Sequence, residues 1–363
     1  MRKFIRSFNK HVFITLIQLS LKLRYRYYIT GLKEIKKTVL KSEKGTLFLP
    51  NHVALLDPLV QVSLLLRRFK MRPVLHEKFY YIPGIHYVLT LPRSLPVVDL
   101  AKTDNWEGRK QQYYDLLEEI IGGLKKGERF MFYPSGKIKR TAYERLEGAS
   151  GAYDIVSQVP DCHVVLVNAR GLWGSRFSYA ERQDAPDLSV AMKHTLWDCM
   201  KSLLLFLPKR RVYVEYSLIP PEIKKIKSRT EFNRALEKWY NRDGNESIAQ
   251  PRVPFRKHPK IQKRFWAKID TEQIPHEIAD PILEKLTQKV GRPVSLEDEW
   301  GRDLGLDSIE MMDIIVEFAD ELRIEQVELI DMLKVKDIFR PILELHHSHY
   351  DIEGDENFHP VFE

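Results

Sequence analysis

A histidine and an aspartate five positions apart, His52 and Asp57, are the residues best suited to chemistry in this sequence. An apolar run, 46–49, precedes the histidine, and Pro58 follows the aspartate. Histidine accepts a proton near neutral pH, and a carboxylate can fix its tautomer and orientation. Because proline suits the first turn of a helix, the pattern predicts a strand, a loop with His52, and a helix over 59–68 with Asp57 as N-cap. The pair is either a general base with its orienting group, or a polar loop residue followed by an ordinary helix cap.

Ser308 is the second residue of chemical interest, because Asp307-Ser308 leads into a strong helical pattern. At a helix start, backbone N–H groups and the helix dipole favour an attached phosphate. One face of the predicted helix is apolar and should pack inward: Ile309, Met312, Val316 and Ala319. Another face carries an acidic stripe: Glu310, Asp313, Glu317, Asp320 and Glu321. Taken alone, each feature would be ordinary capping or a solvated helix face.

The charge of the chain is divided between its two parts, although the net charge is only +8 over 363 residues. Residues 1–269 carry 50 Lys/Arg against 25 Asp/Glu, whereas residues 270–363 carry 8 against 25. The division predicts two domains with different partners. The basic domain suits an anionic membrane surface or nucleic acid, and the acidic domain suits a basic protein, such as the first domain. Nucleic acid is the weaker choice because no reading motif is present. Two cysteines, Cys162 and Cys199, exclude a disulfide framework and fit a reducing compartment.

The elements that must position His52 alternate between strands and helices. Apolar runs predict strands at 46–49, 73–76, 130–133, 164–168 and 212–218. Helical patterns lie at 59–68, 106–125 and 188–207. This alternation predicts an α/β domain over 28–244, with a mostly parallel sheet and flanking helices.

The flanking segments differ from this domain in composition. Residues 1–27 are basic and then apolar, but too short in their apolar part to span a bilayer, and predict either an amphipathic membrane-interfacial segment or a core helix. Residues 245–268 form a basic, proline-interrupted linker, and 269–345 a small all-α helical-bundle domain. The tail, 346–363, is polar; its three histidines have no ligand spacing, so no metal site is predicted.

The acidic segment closely resembles an acyl carrier protein over about residues 269–345. Gly305-Leu-Asp-Ser308 stands where that family carries its attachment signature, with Ile309 in place of the commoner leucine. The resemblance implies that Ser308 bears 4′-phosphopantetheine, whose thiol holds an acyl chain as a thioester. It also implies that the acidic helix docks on basic enzymes, and that a phosphopantetheinyl transferase and an acyl-loading enzyme are partners.

The stretch Asn51-His52-x4-Asp57 resembles the first block of the glycerolipid acyltransferase family, the type that acylates lysophosphatidate. Similar blocks follow in order at 95–99, 132–136 and 164–175, so the likeness covers about 28–218. The resemblance implies that His52, oriented by Asp57, takes the proton from an acceptor hydroxyl as it attacks the thioester. Backbone N–H groups near Gly136 would then stabilise the oxyanion.

Two departures from the family concern the acceptor. Leu100 stands where the second block has arginine, and Ser135 where the third has glutamate. The predicted substrate-binding residues are Asn51, Arg93, Ser135, Gly136, Lys137 and Arg140. Among the nearby cations, including Lys102 and Lys139, some could replace the missing phosphate ligand; equally, the acceptor need not be a phosphate monoester.

These features predict a peripheral acyltransferase on the cytoplasmic face of a bacterial inner membrane. Its donor would be an acyl thioester on its own carrier domain, and its acceptor the hydroxyl of a lysophospholipid or related glycerolipid. Fusion would raise the local donor concentration. One alternative is an acyltransferase that uses free acyl-CoA or acyl carrier protein, with the fused carrier for docking or regulation. The other is a non-catalytic, membrane-tethered acyl carrier.

Overall fold

A seven-stranded sheet forms the centre of the computed structural model, which describes residues 2–81, 93–100, 102, 104–181, 186, 188–201, 209–248, 269–319, 322, 332–340, 342 and 343. The strands are β1 (Tyr25–Thr30), β2 (Thr46–Pro50), β3 (Arg72–His76), β4 (Leu95–Val97), β5 (Arg129–Met131), β6 (His163–Arg170) and β7 (Arg210–Leu218). Their order is β1-β7-β6-β2-β5-β3-β4, and only the β6–β7 pair is antiparallel. The prediction of a mostly parallel α/β sheet is confirmed.

Helices cover both faces of this sheet. The described α-helices are α1 (Arg2–Arg24), α2 (Leu32–Leu40), α3 (Asp57–Phe69), α4 (Glu77–Tyr80), α5 (Trp106–Lys125), α6 (Gly151–Gln158), α7 (Leu188–Lys201), α8 (Pro221–Lys224), α9 (Arg229–Tyr240), α10 (His276–Val290) and α11 (Ser308–Glu317). Short 3₁₀ turns lie at Tyr179–Glu181, Thr271–Gln273 and Val335–Phe339. Helices α1, α2 and α3 share one apolar cluster, whereas α5, α6, α9, α10 and α11 share the other.

Strand β2 lies near the middle of the sheet and contributes side chains to both apolar clusters. Its five residues are all buried, because a parallel strand is covered on both faces and therefore reads as a continuous apolar run. Side chains alternate along it: Leu47 and Leu49 join one cluster and Phe48 the other. The strand is thus fixed in register, and the loop that follows it has a defined start.

Helix α1 has one buried and one exposed apolar face. Ile14, Ile17 and Leu21 are buried in the cluster that includes α3. Val12, Leu16, Leu19 and Leu23 on the same helix are 41–60% exposed. The buried face agrees with a core helix, whereas the membrane-interfacial interpretation stays a prediction for the exposed face. The sheet begins at β1, three residues before the predicted boundary at 28. Among the described residues, no helix combines the length and apolar character needed to cross a bilayer.

The acidic segment contains α10 and α11 with two 3₁₀ turns, so the helical bundle stays a prediction. Ile309 and Met312 are buried as predicted, Val316 packs against the same cluster, and Ala319 is half-buried. Most of the predicted linker (249–268) and the tail (346–363) lie outside the described residues, as do Asp320 and Glu321. Helix α7 is described to Lys201, so the rest of the predicted helix over 188–207 also lies outside them.

Candidate active site

The loop after β2 brings His52 and Asp57 together at the carboxyl edge of the sheet. His52 Nδ1 lies 3.4 Å from Asp57 Oδ2, and the two side chains are 14% and 0% exposed. The ring of Tyr133, at the end of β5, packs on the imidazole with 4.3 Å between ring centroids. With Nδ1 directed at the carboxylate, Nε2 is the ring nitrogen left to accept a proton.

Asp57 binds the His52 loop and does not act as the N-cap of α3. Its Oδ2 accepts the N–H of Ala54 at 2.8 Å and also that of Val53. The helix begins at Asp57 itself, and Leu56 occupies the cap position without a side-chain hydrogen bond. The predicted cap is therefore wrong by one residue, because the chain folds back and offers the N–H groups of its own loop to the carboxylate. Each buried N–H would cost about 1–3 kcal/mol if it lost its partner, so Asp57 also stabilises the loop.

The Asn51 side chain connects the end of β2 to β6. It accepts the N–H of Ala169 at 2.7 Å and donates to the Ala169 carbonyl at 3.0 Å and to Asn168 Oδ1 at 3.2 Å. It is 3% exposed. These contacts fix the loop directly before His52, and the substrate-binding role of Asn51 stays a prediction.

The loop 134–149 after β5 lies at the same edge, because β5 runs parallel to β2. Ser135 is buried and donates to the Lys137 carbonyl at 2.9 Å. Lys137 pairs with Glu147 on the same loop. Arg140 lies over the Tyr179 ring, 4.8 Å from its centroid. Ser135, Lys137 and Arg140 thus lie on the loop that contacts His52, and their substrate-binding roles stay predictions.

Gly136 has φ 64° and open space where a Cβ would lie. Its N–H donates to the Tyr133 carbonyl at 3.0 Å. This N–H is therefore already engaged in the turn, and an incoming oxyanion would have to replace that partner. Gly136 stays a predicted substrate-binding position, on the loop that follows Tyr133.

Arg93 lies at the opposite edge of the sheet from His52. It precedes β4, and its Nη1 is 3.8 Å from Oε1 of Glu128, which precedes β5. Because β4, β3, β5 and β2 are parallel, residues that precede these strands lie a strand length from those that follow them. The structure therefore does not bring Arg93 to His52. Lys139 is near His52, but its Nζ is buried and paired with Glu246, so it is not offered to a phosphate.

Glu144, which the sequence analysis missed, contacts the backbone of His52. Its two carboxylate oxygens lie 3.2 and 3.3 Å from the His52 nitrogen and accept its N–H. Burial raises the pKa of the Glu144 carboxyl above its usual value, while the Lys139 charge and the His52 N–H oppose this rise. No spacing rule connects positions 52 and 144, so the sequence carried no signal for this contact.

Ser308 lies against the far end of the same loop. It is the first residue of α11, whose capping box is formed by Asp307 and Glu310. The Ser308 N–H donates to the Gly148 carbonyl at 3.1 Å, and its Oγ lies 3.5 Å from that oxygen. Loop 134–149 therefore contacts both His52 and Ser308.

Charged contacts flank Ser308 on both sides. Arg229 Nη1 lies 2.9 Å from Asp307 Oδ2 and its Nη2 3.5 Å from Glu310 Oε2. On the other side, Lys110 Nζ lies 2.8 and 2.9 Å from the two oxygens of Asp313, which raises the pKa of the lysine. Two members of the predicted acidic stripe thus face cations of the first domain, as the charge division predicted.

Close backbone packing accompanies these charges. A Cβ on Gly148 would lie 2.7 Å from the Leu306 oxygen, and one on Gly301 would lie 2.6 Å from the Gly148 nitrogen. Larger residues would therefore separate the two segments.

Among the described residues, no cluster of three or more His, Cys, Asp or Glu side chains is arranged to hold a metal ion.

Part of this chain is similar to known proteins. Residues 29–169, which include His52, Asp57 and loop 134–149, match the family model described as Acyltransferase. A crystal structure of the 1-acyl-sn-glycerophosphate (LPA) acyltransferase PlsC from Thermotoga maritima is similar, with a TM-score of 0.44 and 14% identity over 67% of this chain and 81% of that chain. No match was found among curated proteins. The chain contains an acyltransferase domain and is an acyltransferase.

Proposed function

We propose that this acyltransferase moves an acyl group from a thioester on its own Ser308 to the hydroxyl of a lysophospholipid or related glycerolipid. The observation that supports this most is that one loop, 134–149, contacts both His52 and Ser308. A donor held at Ser308 is thereby attached beside the base, and its effective concentration does not depend on diffusion.

In this proposal His52 is the general base. Asp57 accepts from Nδ1 and leaves the lone pair of Nε2 for the proton of the acceptor hydroxyl. The loop excludes much of the solvent from the pair, which strengthens the attraction between a protonated imidazole and the carboxylate. When Nε2 accepts the proton of the hydroxyl, the hydroxyl oxygen becomes the nucleophile that attacks the acyl carbonyl. The protonated His52 can then return that proton to the departing thiolate.

Ser308 fits the attachment of 4′-phosphopantetheine, which supplies the thiol that carries the acyl group. The Ser308 side chain is half-buried at the start of the ten-residue helix α11, where backbone N–H groups and the helix dipole favour a phosphodiester. Arg229 is within ion-pair distance of Asp307 and Glu310 on either side of Ser308 and adds positive charge there. Any group added at Oγ would take the place of the Gly148 carbonyl contact.

The contact between Lys110 and Asp313 gives a direct test of carrier docking. Lys110→Glu should slow transfer from the carrier of the same chain about tenfold, because a charge pair with two hydrogen bonds is replaced by repulsion. Adding Asp313→Lys should restore most of the rate. Lys125→Glu, an exposed lysine at the end of the same helix α5, is the matched control. Single-turnover transfer is the measurement, and no recovery in the double variant would contradict this docking contact.

Peripheral membrane association is part of the proposal, because the acceptor is a lipid. Leu16, Leu19 and Leu23 are exposed on α1, and exposed Lys22 and Arg26 lie beside them. Such a face suits the headgroup region of an anionic bilayer, where apolar burial and cationic side chains both contribute.

Replacing Leu16 and Leu19 together with glutamate should lower binding to anionic phospholipid vesicles at least tenfold. Each buried leucine contributes about 1.5–3 kcal/mol, so even one of them accounts for this factor. Leu40→Glu, at an exposed leucine of α2, is the control. Vesicle co-sedimentation measures the effect, and equal binding by all three proteins would mean that α1 is not the lipid-facing helix.

A further inference from the structure

The backbone of His52 is held on both of its polar groups by loop 134–149. Glu144 accepts its N–H with both carboxylate oxygens, at 3.2 and 3.3 Å. The N–H of Lys139 donates to the His52 carbonyl at 2.8 Å. The two peptide units on either side of the His52 Cα can therefore neither rotate nor shift without breaking these bonds. Asp57 orients the ring, and the loop fixes the point from which the ring extends.

Glu144 is itself anchored from behind. Its N–H donates to Asn241 Oδ1 at 2.9 Å, and Asn241 Nδ2 donates back to the Glu144 carbonyl at 2.8 Å. Asn241 is the residue that ends α9, so the anchor is a helix end and not another loop. A carboxylate that is 2% exposed, with its own backbone bound twice, has little freedom to take another position.

Burying the charged Glu144 side chain here costs solvation free energy, so the need to fill space does not by itself explain a carboxylate at this position. Burial raises the pKa of Glu144, whereas an apolar side chain would fill the same volume without desolvation of a charge. The nearby Ser135 side chain opposes this rise and lowers the pKa of Glu144. At this place residue 144 contributes the carboxylate that accepts the His52 N–H, and residue 135 contributes a hydroxyl.

We infer that Glu144 is a positioning residue for acyl transfer: it fixes the His52 peptide so that Nε2 keeps its place relative to the acceptor hydroxyl. The inference rests on the proposed role of His52 as the base. Glu144 touches no substrate atom in this account, and its effect on the rate passes entirely through His52.

The test compares three variants of the full-length protein with its carrier loaded, with lysophosphatidate and lysophosphatidylethanolamine in mixed micelles as acceptor probes. Glu144→Ala removes the acceptor of the His52 N–H, Glu144→Asp keeps the charge but retracts it by one methylene, and Glu144→Gln keeps an oxygen in place. The maximal single-turnover rate constant and the acceptor concentration at half-maximal rate are measured separately. Glu119→Ala, at the amino edge of the sheet, is the control.

Glu144→Ala and Glu144→Asp should lower the maximal rate constant about 100-fold, the size expected when a reacting group is misplaced by about 1 Å. The half-saturating acceptor concentration should stay within about twofold, because binding is not affected. Glu144→Gln should stay within about fivefold of the native rate, since its amide oxygen still accepts the N–H. Introducing Ser135→Glu into Glu144→Ala should recover part of the rate by supplying a carboxylate from the neighbouring position.

A native maximal rate in Glu144→Ala would overturn the inference, as would a loss confined to the half-saturating acceptor concentration, or equal losses in the glutamine and alanine variants. If the alanine variant does not fold, the aspartate and glutamine variants test the inference by the same two quantities, the maximal rate constant and the half-saturating acceptor concentration. His52→Ala, measured in the same assay, separates the two proposals. Activity in His52→Ala would refute the role of His52 itself, whereas its loss together with a native Glu144→Ala would refute only the role of Glu144.

Discussion

Replacing His52 with alanine should lower the rate of acyl transfer by about 10²- to 10⁴-fold, the contribution usual for a positioned general base. The acceptor hydroxyl would keep its proton and attack only as a weak nucleophile. The fold should survive, because the loop is held by Asp57, Glu144 and Lys139 through backbone groups that alanine retains. The measurement is single-turnover loss of the acyl group from the loaded protein, followed by intact-protein mass.

The matched control for this variant is His163→Ala. His163 begins β6 at the amino edge of the sheet, on the same domain but at the far end from the base. It should leave the rate within about twofold of native, as is usual for substitutions away from the reacting groups. Asp57 is a less decisive target, because its removal would also leave the N–H groups of Val53 and Ala54 unpaired. Full activity in His52→Ala would contradict both mechanisms that use this residue as base, whether the donor is the carrier of the same chain or a free acyl thioester.

Ser308→Ala should abolish both the mass increase caused by a phosphopantetheinyl transferase and all transfer that depends on the carrier. No other serine is placed at the start of α11, so no neighbour can replace the lost hydroxyl. The packing should persist, because the backbone contact from residue 308 to Gly148 does not use the side chain. Ser295→Ala, an exposed serine of the same segment, is the control and should be modified normally.

The same Ser308 variant separates the three functional alternatives. Under the proposal, it transfers no acyl group at the low donor concentrations at which the native chain is active. If free acyl-CoA or acyl carrier protein is the donor and the fused segment only docks or regulates, Ser308→Ala keeps native activity with that donor. If the chain is a membrane-tethered carrier without catalysis, native protein, His52→Ala and Ser308→Ala all fail to produce acylated lipid.

The sequence predicted the His52–Asp57 contact and the surrounding sheet well because their signals are local. His52 and Asp57 are five residues apart, and β2, β5 and β6 are apolar runs that need no tertiary context to be recognised. Strands β1 and β4 were not predicted. The first, Tyr25–Thr30, mixes arginine and threonine with tyrosine and resembles a membrane anchor, and the second has only three residues.

The contacts around His52 were harder to predict from the sequence, because tertiary structure decides which charged groups meet. Arg93 is close in sequence to the predicted second block at 95–99, but it precedes β4 and therefore lies at the other edge of the sheet. Glu144 is 92 positions from His52 and reaches it only because β5 lies next to β2. The acidic face of α11 was predicted from periodicity, whereas its partners Lys110 and Arg229 could be found only from the structure.

The most direct measurement of the central claim is the dilution dependence of acyl transfer. Native protein carrying a labelled acyl group on Ser308 is mixed with lysolipid micelles at protein concentrations spanning about 100-fold, and the rate constant for label entering lipid is recorded. Transfer within one chain is unimolecular in protein, so we expect a rate constant independent of dilution. Transfer should be far slower and concentration-dependent when loaded His52→Ala is mixed with unloaded Ser308→Ala. A native rate that falls in proportion to protein concentration, or label that stays on the native protein with every lysolipid tested, would contradict the claim.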